Sequence, residues 1–351
     1  MIKNIIIVLL LGLSTFTSAQ DLQFTQFYTT PMSVNPALIG TFNGTYRIGL
    51  TYRDQWRAGL QKPYTSYAAG GDVKFELGEK RAVNPNIAAL GIQFFRDKID
   101  ILDFNTNQIS IAGAYHQSLN KKKNEYIGIG VQGSISQKAV NYEDLVFPDQ
   151  FNAINGFTLP TGEVLPPNNF GYLDLSIGVN YSVSPNKRTR LNLGASIAHL
   201  ANQNISFFAK EEIINPDILT DVTIGRRLAL HGSYAFNTSD FFTVDPRVLF
   251  VKQNQLSLVN LSTLFKVKVP GSEGRTFFAG PGIKILNNGL DTGIESFILT
   301  AGLEFKGLLI GLSYDHNLRD ITKFGSGLST FEFSIIYLGD YENADAFCPT
   351  F

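Results

Sequence analysis

Cysteine is almost missing from this chain: Cys348, in the last stretch, is the single one in 351 residues. One thiol cannot build a disulfide framework, so a stapled extracellular scaffold is excluded. Charge is also sparse, at 17% of residues and a formal net of -1, and the basic run "KKK" (121–123) stands alone. That balance excludes nucleic acid as a partner. The histidines, His116, His199, His231 and His316, sit on separate segments with no HExxH element and no Cys/His cluster. No zinc site follows from such spacing, and no other metal or cofactor is expected. His231 and Ser233 share strand parity, but same-face neighbours do not by themselves give a hydrogen-bonded catalytic pair, so no enzyme is expected. The glycines of "GSEGRTFFAG" (271–280) lack the lysine and following helix of a phosphate loop and read as a turn and a strand. Beyond residue 13 no apolar run approaches the ~20 residues that a membrane-spanning helix needs.

The opening "MIKNIIIVLLLGLSTFTSAQ" has an early Lys3, an apolar run from Ile5 to Leu13 and small residues up to Ala19. It predicts a secretory signal peptide over 1–19, cleaved between Ala19 and Gln20. No cysteine follows the apolar run, so a lipid-anchored protein is not expected.

What is abundant is aromatic and small: 28 Phe, 14 Tyr and 32 Gly. With few charges, this suits a chain of strands whose outer surface meets lipid. Period-two alternation supports it. In "SFILTAGLEFK" (296–306), Phe297, Leu299, Ala301, Leu303 and Phe305 share one face, and Ser296, Thr300, Gly302, Glu304 and Lys306 the other. "EYIGIGVQGSIS" (125–136) and "TRLNLGASIAH" (189–199) repeat the pattern.

Such segments fall near 45–56, 64–77, 87–97, 104–118, 125–138, 171–184, 189–199, 225–237, 241–251, 255–267, 274–285, 296–306, 307–317 and 328–338. The fold class is therefore all-β, a transmembrane antiparallel barrel of about fourteen strands, an even number as outer-membrane barrels require. If the first strand runs outward, short connections should follow the even-numbered strands. "NKKKN" (120–124), "SPNKR" (184–188) and "NTSD" (237–240) do so, while the two longest connections, 139–170 and 200–224, follow odd ones. "VKQNQ" (251–255) is a short external exception. The organisation expected is a signal peptide (1–19), an N-terminal segment able to plug the lumen (20–43), the barrel (44–338) and a tail (339–351).

The stretch "YRDQW" (52–56) places Arg53 and Asp54 at the outward end of the first strand, beside Trp56, the chain's one tryptophan. The charges are expected in the lumen or loop layer, either as a rim ion pair or as part of a polar interior with Asp72, Arg96 and Asp97, and Trp56 in the aromatic girdle at the lipid boundary.

With its flanks, "QFTQFYTTPMSVNPALIGTFNGTYRIGLTYRDQW" resembles the opening of the PorP/SprF family of the type IX secretion system of Bacteroidetes. The resemblance rests on Asn35, Pro36, Ala37 and Gly40, then on Arg53, Gln55 and Trp56. It continues through "SYAAGGDVKF" (66–75), "LALHGSYAF" (228–236) and "GLSYDHNLRDITKFGSGLSTFEFSIIY" (311–337). It implies a multi-pass outer-membrane barrel that serves protein secretion, surface attachment or gliding-adhesin display. The implied partners are secreted cargo with a type B C-terminal sorting domain, other secretion components and outer-membrane lipid. The family assigns no role to the tail.

The long loops are the natural cargo contacts, through Phe147, Phe151, Phe170, Phe207 and Phe208, since desolvated aromatics dominate interface energetics; the plainer reading is that they pack the loops over the barrel mouth. The alternative function is transport of small apolar molecules, with segment 20–43 as a hatch like that of fatty-acid transporters, a warrant from fold analogy alone.

Overall fold

The computed structural model describes residues 21, 23–57, 63–77, 85–99, 103–120, 124–143, 145–207, 222–271, 274–319 and 328–340. The expected signal peptide with Ala19 and Gln20, the "KKK" turn, Phe208 and the tail with Cys348 lie outside the described residues.

Fourteen antiparallel strands, each paired with its sequence neighbours, form one closed barrel. They are β1 (Tyr46–Gln55), β2 (Tyr64–Leu77), β3 (Asn86–Ile99), β4 (Phe104–Ser118), β5 (Glu125–Ala139), β6 (Asn169–Asn186) and β7 (Thr189–Ala198). Then follow β8 (Arg227–Asn237), β9 (Phe242–Gln253), β10 (Leu256–Lys268), β11 (Thr276–Asn287), β12 (Thr292–Phe305), β13 (Leu308–Asn317) and β14 (Ser329–Gly339). Closure is made by β1 on β14, in register from Tyr46 opposite Gly339 to Gln55 opposite Thr330. In hydrocarbon every backbone N–H and C=O must find a partner, and only closure removes the edges.

The alternation is inverted relative to a water-soluble sheet. On β5, Ile127, Val131 and Ile135 are exposed on the outside, while Gln132, Ser134 and Ser136 are buried toward the lumen. Leu90, Ile92 and Phe94 on β3 and Leu173, Leu175 and Val179 on β6 continue the outer apolar band. That is a lipid-facing exterior around a polar interior.

Loop lengths follow the expected parity at the long connections, 140–168 and 199–226. The exceptions are the two-residue turn Asn254–Gln255 and the four-residue connections 100–103 and 288–291 at the outward ends, and the inward connection 78–85, which is as long as the outward 56–63. Within 140–168, a small hairpin pairs Phe151–Asn152 with Gly156–Phe157.

The lumen is occupied by the segment before β1. It carries a 3-10 turn (Phe27–Thr29), one helical turn (Pro31–Val34) and a second 3-10 turn (Pro36–Leu38). Two apolar clusters join it to the wall: Phe27 and Val34 with Ala229, Leu249 and Val251, and Met32 and Ile39 with Ala89, Ala112 and Ala114. The wall is thinned where the segment passes. A Cβ on Gly130 would overlap the backbone of Pro36 and Ala37, and one on Gly178 the Asn35 side chain.

Candidate functional site: the filled lumen and the outer mouth

The residues singled out from sequence are mostly the fastenings of the luminal segment. Asn35 caps the turn Pro36–Leu38: its Oδ1 accepts from the Ala37 N–H at 2.8 Å, and Pro36 opens the turn where no N–H is needed. The Asn35 amide donates to the carbonyl of Val179 at 2.9 Å and lies 3.0 Å from His231 Nε2. His231 thus touches the luminal segment through Asn35. Gly40 takes φ +76°, a conformation that favours glycine, and its N–H donates to Asp72 Oδ2 at 2.7 Å. Asp72 in turn accepts from Arg47 Nε at 2.7 Å and from its Nη2 at 2.8 Å. Arg47 was missed from sequence; its luminal parity on β1 was the available signal.

Arg53 and Asp54 do not pair with each other, because adjacent strand residues point to opposite faces. Arg53 points inward, donates to the Gln23 carbonyl and to Gln55 Oε1 at 2.9 Å, and lies 3.8 Å from Glu332 of β14. Asp54 points outward and takes Arg57 at the rim. Trp56, with φ +66°, meets Tyr64 edge to face at 5.4 Å, an aromatic contact at the outward end of the strands. Arg96 also shares the outward parity of Ile92 and Phe94, a correction to its expected place in the interior. Glu332, fully buried, accepts from the Thr25 and Gln26 N–H groups at 2.6 and 2.9 Å. Asp315 binds Thr25 Oγ1 and Lys284 Nζ, each at 2.6 Å; it faces a lysine, and His316 beside it is exposed on the outer face.

A family model described as "Type IX secretion system membrane protein PorP/SprF" matches residues 16–337. The chain belongs to the PorP/SprF family. It is accordingly an outer-membrane β-barrel and a membrane component of type IX secretion. No curated protein matches it. A monoaromatic hydrocarbon channel, CymD, is similar in structure at 11% identity and TM-score 0.51, over 90% of this chain and 94% of that one. A FadL homologue from Pseudomonas aeruginosa aligns at 12% identity and TM-score 0.48, over 86% and 92%. At such identity the likeness concerns the fold.

In this PorP/SprF barrel the luminal segment begins at the outer mouth. Asp21 lies 2.6 Å from His199 Nε2 and 3.3 Å from Arg227, and its N–H donates to Gln253 at 3.0 Å. His199, just past β7, has its other ring nitrogen 3.0 Å from Asp174. Burial opposes the charged imidazole, but the carboxylates of Asp174 and Asp21 outweigh it and raise His199 to about 9. Burial would raise Asp21, yet its hydrogen bond to His199 and the Arg227 charge hold it well below the usual carboxylate range. Nothing in the spacing of residues 21, 174, 199 and 227 announces this cluster.

Of the aromatics proposed for cargo contact, Phe170 and Phe207 pack edge to face at 4.8 Å, with Phe104 against Phe207 at 6.2 Å, as a rim cluster. Phe147 is half-buried. Phe151 is exposed and meets Phe157 across the hairpin at 5.3 Å. Sequence reasoning missed Phe157, Ile154 (88% exposed) and Val164 (78% exposed) on the same loop.

Proposed function

We propose that this barrel acts in type IX secretion as a docking or retention partner at the cell surface. Its cargo would be secreted proteins such as adhesins with a type B C-terminal sorting domain. The observation that carries the reading is a contrast. The lumen is filled by a segment bonded to β1, β2, β6, β9, β11, β13 and β14, whereas loop 145–165 presents Val146, Phe151, Ile154, Phe157 and Val164 to the outside. A barrel so filled is poorly suited to conduct a protein, and an apolar loop above the membrane suits a protein contact. The same fastenings weigh against passage of small apolar molecules through the lumen.

The test exchanges 145–165 for a Gly/Ser linker in cells. Cargo should then leave the surface and accumulate in the medium, with the barrel still present in the outer membrane. Surface retention at the original level sinks the proposal. Affinity purification of the tagged barrel from gently solubilised outer membranes, followed by mass spectrometry, should recover a protein with a type B sorting domain.

A further inference from the structure

Between the luminal segment and the wall of β3 to β7 lies a cavity of about 350 Å³, at the outward ends of these strands. Its wall is a lattice that the strand registers define. In the outermost row, Asp97 on β3 stands opposite Thr106 on β4, and Thr106 opposite Lys138 on β5. In the row beneath, Phe95, Gln108, Ser136 and Tyr172 follow one another across β3 to β6. All seven line the cavity. Strands lie about 4.8 Å apart, so the backbones of Asp97 and Lys138 are separated by roughly 10 Å, with a hydroxyl between them and an aromatic ring at each end of the row below.

The charges of this lattice differ from the others of the mouth. Asp21, His199, Arg227 and Asp174, which line the same cavity, lie within ion-pair distance of one another. Asp97 has the Ser66 hydroxyl at 2.6 Å and no cation within ion-pair distance among the described residues. Lys138 has neither an ion pair nor a hydrogen bond there. Arg53 acts on Asp97 and Asp21 on Lys138 only through space, so a half-buried carboxylate and a half-buried ammonium face one space with no direct ionic contact of their own.

From this we infer a binding site for a small zwitterion, a free dipeptide. Asp97 takes its ammonium, Lys138 its carboxylate, Thr106, Gln108 and Ser136 its peptide group, and Phe95 or Tyr172 an apolar side chain. A dipeptide spans the gap once the Lys138 side chain leans inward, and its size suits the cavity. The site is separate from the loop proposed to dock cargo and does not depend on that role.

The test uses the purified full chain in detergent micelles and the dipeptide Ala-Phe, its N-acetylated form and its C-amidated form, with binding read by calorimetry or saturation-transfer NMR. Ala-Phe should bind saturably, and each cap should weaken it by about tenfold or more, since each removes one charge-assisted contact. In Lys138→Met the amide and the free acid should bind alike, while the effect of acetylation remains. In Asp97→Asn the reverse is expected. Absence of saturable binding, or caps without effect, overturns the inference. Dependence on the carboxylate alone also overturns it, in favour of a simple anion or the end of a protein chain. The cap comparison needs no variant, so it decides the matter even where a substitution prevents folding.

Discussion

The two halves of the luminal segment are held by different physics. Residues 31–40 are fixed mainly by shape: Ala37 and Ile39 are wholly buried, Met32 and Val34 nearly so, and the wall opposite is apolar or small, alanine and glycine at most positions with Leu249 and Val251 against Val34. Residues 21–29 are fixed mainly by charge, through Glu332, Arg53, Asp315, Lys284 and the His199 cluster. Shape complementarity tolerates no added volume but is indifferent to pH and salt. Charge complementarity tolerates small shifts but responds to protons. The half nearer the outer mouth is therefore the half whose hold can be varied.

The sharpest way to break the comparison is to add volume to the inner half. Gly130→Leu and Gly178→Leu should expel the segment or prevent barrel formation, read as loss of heat-modifiable migration in gels. An intact, filled barrel would show that the close approach is dispensable. Next, Glu332→Ala removes the acceptor of two N–H groups and leaves Arg53 buried without its counter-charge. We expect a loss of about 3–5 kcal/mol in denaturant unfolding. Glu332→Gln, which keeps the volume, should recover part of it.

A third experiment follows the protons at the mouth. His199 is raised to about 9 from its ordinary 6.5, so its contribution is complete below pH 6.5 and disappears as pH rises through 9. Asp21 is lowered from 3.8, so its contribution is present above that value and is lost as pH falls below it. Arg227 faces Asp21 throughout, and Asp174 faces His199. Protection of the outer half against proteases should thus hold between about pH 4 and 9 and fall outside that window. His199→Gln should flatten the alkaline limb. The smallest stability effect belongs to Phe151→Ser with Phe157→Ser: exposed on a loop, they should change unfolding by less than about 0.5 kcal/mol. The proposed docking role requires the same pair to reduce cargo retention.

The wall was legible in the sequence because each strand repeats one local rule over ten or more residues. The luminal segment was visible as a stretch lacking that rule, and its fastenings were not. Thr25 and Glu332 are 307 positions apart, and no local pattern records such a meeting. Asn35, Pro36, Gly40 and Arg53 were noticed through resemblance; their capping, positive φ and inward parity are the physical reasons that structure adds. Arg96 shows where reading failed: it obeys the alternation, but near a strand end parity points it outward where its chemistry suggested the interior.

Arg53 and Glu332 face each other across the β1–β14 seam, the pair of strands that closes the barrel, and both hold residues 23–26. The last strand in the chain therefore completes, in one event, the ring and the cradle for the first segment. Contacts of such sequence separation form late, after the chain has paid the entropy of bringing its ends together. A barrel that closed empty would bring the two opposite charges into the lumen without the backbone groups that complete their coordination. Assembly is thereby given a local criterion for completeness, written at its own final joint.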